Sequence, residues 1–288
     1  MYVIQNELLT VTVNPVGATL WSITDQSGQE YLWQGDERYW GDRAPNLFPY
    51  IARLTDKRYV LNGKEYSMDI HGFARTNVFE VVEQKENRIV MRMKDTAETY
   101  AEYPYHFTFD VCYELVGNKL NISFVVENQD DKKMYFGVGG HPGFNLPMEK
   151  GLVFEDYEAY FGDCKPRKVL FSEDCFVIGE EPYELTDGAL PLTHPLFDHD
   201  AIVLTDTNQE VTFRSKKGTK ALKVCYPDMP YLGLWHKVCS DAPYVCIEPW
   251  SSLPSRKGIV EDLATQPGLI HLEAGKVYTN NWDIEIIG

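Results

Sequence analysis

Residues 107–115, FTFDVCYEL, alternate without interruption: Phe107, Phe109, Val111, Tyr113 and Leu115 point one way, Thr108, Asp110, Cys112 and Glu114 the other. After Gly117-Asn118 the alternation resumes, with Leu120, Ile122, Phe124 and Val126 set against Asn121, Ser123, Val125 and Glu127. A period of two on both sides of a turn dipeptide predicts an antiparallel hairpin with one buried and one wetter face. Shorter runs of the same kind occupy 8–13 (LLTVTV), 78–82 (VFEVV), 89–93 (IVMRM) and 201–204 (AIVL). A further hairpin is expected over 211–225, turning at Lys217-Gly218, and a polar hairpin-like stretch at 62–67 (NGKEYS). Helical periodicity is confined to short turns such as 258–264 (GIVEDLA). Many short strands punctuated by Gly, Pro, Asn and Asp predict an all-β protein, a large antiparallel sandwich. Without a linker or a break in composition, residues 1–288 are expected to form a single domain.

Composition narrows the classes of function. Hydrophobic residues make up 44% and aromatics 13% of the 288 residues, enough for a large core and too much for global disorder. A formal charge of -16 repels nucleic acids and anionic membranes, so a small-molecule partner is expected rather than either of those. The six cysteines are scattered, with no C-x-x-C pair and no zinc-like grouping, and the N-terminus lacks the basic start and apolar run of a signal peptide. Reduced thiols in a cytoplasm are the expectation.

Four segments carry more than scaffolding. In Ala44-Pro45-Asn46-Leu47-Phe48-Pro49-Tyr50-Ile51-Ala52-Arg53-Leu54, two prolines argue for an ordered loop or edge, ending in the cation Arg53. His71-Gly72-Phe73-Ala74-Arg75 places a glycine where a backbone or ligand can come close to a histidine. Residues 137–146, GVGGHPGFNL, hold four glycines around His141, and their spacing does not match a phosphate-binding loop. In Tyr244-Val245-Cys246-Ile247-Glu248-Pro249-Trp250 an apolar strand ends in a carboxylate, then a proline expected to stop the ladder, then a tryptophan. A buried carboxylate needs a partner, and one next to an aromatic suits a sugar, whose C–H face stacks on rings while its hydroxyls take charged partners.

In this order the segments resemble the aldose 1-epimerase (galactose mutarotase-like) superfamily, most closely its LacX-type branch. PNLFPYIARL, HGFAR, YPYHFTFDVCYEL leading to GGHPGFNL, and YVCIEPW carry the resemblance over nearly the whole chain. It implies a β-super-sandwich with an open sugar cleft, no metal and no cofactor. By the same resemblance His141 matches the general acid and Glu248 the general base. Arg53 and His71 match groups that hold the sugar. An aspartate preceding a strand grips a hydroxyl; in LFDHDAIVL that is Asp200 in preference to Asp198, because Asp200 directly precedes the apolar run.

Exchanging anomers requires a base on the C1 hydroxyl and an acid on the ring oxygen, expected on opposite sides of the C1–O5 edge. Trp250 and Arg75 complete the expected substrate-binding set. Arg75 in HGFAR is also similar to hexose-6-phosphate mutarotases of this superfamily, and Arg43, Arg53, Lys57, Arg58 and Arg75 form a local cationic excess suited to a phosphate if they converge. The alternatives are a hexose-6-phosphate 1-epimerase and a non-catalytic carbohydrate-binding protein. A glycoside hydrolase built on Glu248 and Asp200, and a zinc enzyme built on His71, His141 and Glu248, are less favoured.

Overall fold

The computed structural model describes residues 1–288 and is built almost entirely from antiparallel strands. Nine strands form one sheet, in the order 189–191, 157–160, 210–215, 221–225, 277–287, 119–128, 107–116, 88–94 and 80–84. Eight form a second, which runs from 177–182 through 167–171, 202–205, 231–235 and 244–250 to 139–140 and 46–47, with 143–145 also paired to 244–250. The predicted hairpin is continuous from Lys119 opposite Val116 to Asn128 opposite Phe107, with Gly117 at a φ of +59° in its turn. The 211–225 hairpin pairs Glu210–Ser215 with Ala221–Cys225, and the 62–67 stretch closes a small hairpin on Arg58–Leu61.

Side chains from both large sheets meet in one hydrophobic cluster, with Phe107, Phe109, Val111, Phe124 and Trp282 from the first sheet and Leu232, Leu234, Val245 and Ile247 from the second. That is the layered packing the alternation requires. The outer face of 107–116 is drier than predicted: Thr108, Asp110 and Cys112 are buried. The strand lies inside its sheet, and Arg92 from the adjacent strand folds over Asp110 with bonds of 2.7 and 2.6 Å.

Two local expectations fail. Residues 258–264 contain no helix; Gly258 sits at a φ of +72°, and the segment is drawn into extended contact with 58–61 by Leu263 N–H donating to Val60 O at 3.0 Å. The α-helix lies instead at Ala97–Glu102, where Thr96 and Thr99 form a reciprocal cap. The Tyr244–Trp250 strand also runs on through Pro249, with Pro249 opposite Leu232. On its other edge Ile247 N–H donates to Pro142 O and Ser251 N–H to Val138 O, both at 3.0 Å. Pro249 falls between these bonds, where strands 139–140 and 143–145 part, so its missing N–H removes no rung.

Candidate active site

Tyr244, Cys246, Glu248 and Trp250 face away from the main core, on the side opposite Val245 and Ile247. Cross-strand register places Gly143 opposite Cys246 and Gly139 opposite Trp250, which sets His141 across from Glu248; Gly233 opposes Glu248 on its other flank. The glycines make room for large rings. A Cβ on Gly139 would lie 2.9 Å from Trp250 Cδ1, and one on Gly143 would lie 3.1 Å from both Trp33 and Trp40. On the inner side, a Cβ on Gly140 would come within 2.6 Å of Trp282 Cζ2.

His141 and Glu248 meet directly, Nε2 to Oε2, at 3.1 Å. They stand side by side on one wall rather than on opposite sides of a gap, because Glu248 lies in the 244–250 strand and His141 in the short link between strands 139–140 and 143–145 that pair with it. The pair opens into a cavity of about 420 Å³, within the usual range for small-ligand sites. Arg53, His71, Arg75, Asp200 and Trp250 all line it, so the residues singled out from sequence converge; Asp198 is exposed and lies outside. Of the five cations in the local excess only Arg53 and Arg75 reach the cavity. Arg43 stacks on Trp21, Lys57 pairs with Asp69, and Arg58 pairs with Asp56 and Glu65. Each arginine in the cavity faces a carboxylate: Arg53 lies 3.8 Å from Asp200, and Arg75 lies 3.4 Å from Asp42.

Glu248 is 1% exposed and His141 8%. Burial pushes the Glu248 carboxyl well above its ordinary range, and the Asp200 charge adds to the push. Burial likewise drives the His141 imidazolium down to about 4. Burial thus favours the uncharged form of each group, a protonated Glu248 beside a neutral His141 across the 3.1 Å contact. His71 accepts from Ala52 N–H at 3.1 Å through Nδ1, which fixes the neutral ring's proton on Nε2. Burial, with the nearby His141, Arg75 and Arg53, depresses its imidazolium well below the ordinary value.

Backbone strain concentrates here. Ala52, His71, Cys175 and Asp200 all hold positive φ, at 55°, 65°, 65° and 77°. Conformations of this kind cost about 1–3 kcal/mol each and persist only where surrounding contacts over-determine them. Ala52 and His71 lock each other by the bond to Nδ1 and by His71 N–H donating to Ala52 O at 2.9 Å. Gly72 is obligatory for a simpler reason, since a Cβ there would lie 2.3 Å from Phe48 O.

Trp250 takes a smaller part than expected. Its ring is 4% exposed and packs with Leu47, Ile51, Val169 and Val203, so it offers the cavity an edge rather than a stacking face. The more open aromatics are Trp40 and Trp235, which sequence reasoning missed. Trp40 stacks on His141 at 4.9 Å and 30°, and Trp235 meets the same ring edge-on at 5.9 Å. Cys175 and Asp42 were also missed. The Cys175 thiol donates to Asp200 Oδ2 at 2.8 Å, and burial followed by that bond raises the thiol to about 11. The residues that converge with metal-binding chemistry are His141, Cys246 and Glu248, whose donor atoms lie within 4.8 Å of one another, and not the His71, His141 and Glu248 set.

The model of the aldose 1-epimerase family matches residues 1–279. Protein LacX of Lactococcus lactis subsp. lactis, in its plasmid form, is 33% identical over 99% of this chain and 98% of its own length, and the chromosomal form is equally similar. A galactose mutarotase related enzyme from Lactobacillus acidophilus superposes with a TM-score of 0.94 at 34% identity, covering 99% of this chain and 96% of that one. A galactose mutarotase-like protein from Lactobacillus casei gives 0.94 at 29%, covering 99% of both chains.

Proposed function

The chain belongs to the aldose 1-epimerase family, and from that premise we propose that it interconverts the α and β anomers of an unphosphorylated hexose, acting as one domain without a cofactor. The observation that carries the reading is the direct contact of His141 and Glu248, at 3.1 Å, on the wall of a cavity also lined by Arg53, His71, Arg75 and Asp200.

Once the Glu248 proton has passed to His141, Glu248 is a carboxylate and His141 an imidazolium. Glu248 takes the proton of the C1 hydroxyl while His141 Nε2 gives one to the ring oxygen, so the C1–O5 bond breaks and an open-chain aldehyde forms. After rotation about C1–C2 the O5 hydroxyl adds to the other face of the carbonyl. His141 then recovers its proton from O5, and Glu248 returns its own to O1. Neither group is consumed. The arginines, the His71 Nε2 proton and Asp200 hold the remaining hydroxyls, and the tryptophans supply apolar surface for the C–H face.

The choice of a free hexose rests on charge. Both arginines in the cavity already face carboxylates, so a phosphate would have to enter beside Asp42 and Asp200. The overall charge of -16 opposes it further. Anomer exchange followed by NMR on glucose, galactose and their 6-phosphates tests the reading. Glu248→Gln is expected to abolish exchange while sugar binding survives. An active Glu248→Gln protein sinks the assignment of the base, faster exchange of the phosphates sinks the substrate class, and buffer-like exchange of every sugar leaves a binding protein. A soluble protein of the cytoplasm is the corresponding setting, and no helix is long and apolar enough to cross a membrane.

A further inference from the structure

Cys246 sits directly behind the acid/base pair, and the anomer exchange gives it nothing to do. It lies two residues before Glu248 on the same face of the 244–250 strand and opposite Gly143 on the neighbouring strand. It is a free thiol with no solvent exposure. His141, Cys246 and Glu248 are all buried, and their nitrogen, sulfur and oxygen donors fall within 4.8 Å of one another.

We propose that His141, Cys246 and Glu248 form an inhibitory site for a thiophilic divalent cation such as zinc or cadmium, which stops anomer exchange by tying up the acid and the base. The inference rests on the acid/base reading for its effect on rate, but not for the binding itself. Three protein donors of mixed N, S and O type, with a fourth position open to a cavity, are the set that a soft or borderline cation takes. The donors need to close by only about an ångström to reach zinc–ligand distances of roughly 2.0–2.3 Å. On binding, the cation accepts electron pairs from His141 Nε2, Cys246 Sγ and Glu248 Oε2. The thiol proton and the mobile proton of the pair leave to solvent, so occupancy strengthens as pH rises. His141 Nδ1 is buried with no partner and thus lacks the outer hydrogen bond that resident zinc sites keep.

The test compares the full chain with Cys246→Ser and Cys246→Ala, two variants in case one folds poorly, and uses Cys175→Ala as a control for the other thiol of the cavity. Cadmium titration is followed by the ultraviolet thiolate-to-cadmium band, and anomer exchange is measured against zinc concentration. The expected results are a band lost in both Cys246 variants and retained in Cys175→Ala, and half-inhibition moved to roughly ten-fold more zinc or beyond, with exchange in chelator unchanged. Saturating sugar is expected to suppress the band. Unchanged half-inhibition in the Cys246 variants, or a band that follows Cys175, overturns the proposal. A Cys246-dependent band in a protein that shows no exchange leaves the metal site standing and removes the epimerase reading instead.

Discussion

Glu248→Gln is expected to change the way stability depends on pH, and the size of the effect follows from burial. The Glu248 carboxyl is raised in the folded protein, so above its ordinary value of 4.5 the folded state holds a proton that the unfolded chain has lost. Its contribution to stability is complete below 4.5 and is lost as pH rises toward the folded pKa, at about 1.4 kcal/mol per unit. His141 runs the other way. Its folded pKa of about 4 lies below the ordinary 6.5, so its contribution is present above 6.5 and is lost as pH falls toward 4. Over that span of roughly 2.5 units it amounts to about 3 kcal/mol. Above pH 4.5 the two slopes oppose in the wild type. Glutamine removes one of them. The variant, left with the His141 slope alone, is expected to lose roughly 2–3 kcal/mol on going from pH 6.5 to 4.5, or about 3–5 °C in Tm for a chain of this size. Urea unfolding of both proteins at several pH values measures it, and groups elsewhere drop out of the difference. Parallel stability curves would refute the raised Glu248 carboxyl.

Two further outcomes follow from the surroundings of the pair. Gly140→Ala would place a Cβ 2.6 Å from the buried Trp282 ring, and is expected to lower stability by about 1–3 kcal/mol while leaving the exchange reaction in place; calorimetry reads the first and NMR the second. Asp200→Asn removes a carboxylate that faces Arg53 and raises the Glu248 carboxyl, so KM is expected to rise roughly ten-fold and the acid limb of the rate profile to move to lower pH. An unmoved limb would show that Asp200 acts on the sugar alone.

The sheet ladders were legible because their signal is local. Alternation over 107–127 and the Gly117-Asn118 turn lie within single stretches of chain and predict the hairpin with its register. The 258–264 segment misled for the same reason in reverse: its apolar spacing suits a helix turn, but tertiary pairing with 58–61 outweighs so weak a preference. At the site, His141, Glu248, Arg53 and His71 were singled out through short motifs marked by glycines and prolines, and Asp200 through the family resemblance. Trp40, Asp42, Cys175 and Trp235 carried no such mark. They come from loops and one strand far apart in sequence, and only the fold makes them neighbours. Trp250 lines the cavity as expected, but an aromatic beside a carboxylate looks the same in sequence whether its ring is open or packed. In this fold the Leu47, Ile51, Val169 and Val203 cluster covers it.

The cross-strand placement of His141 and Glu248 bears on how the protein diversifies. Glu248 rides on a strand of the sheet and His141 on the short link between two strands paired with it, while Trp40, Asp42, Arg53, Cys175 and Asp200 stand on the connections around them. Mutation can therefore redraw the rim, and with it the choice of sugar, without disturbing the spacing on which bond breaking depends.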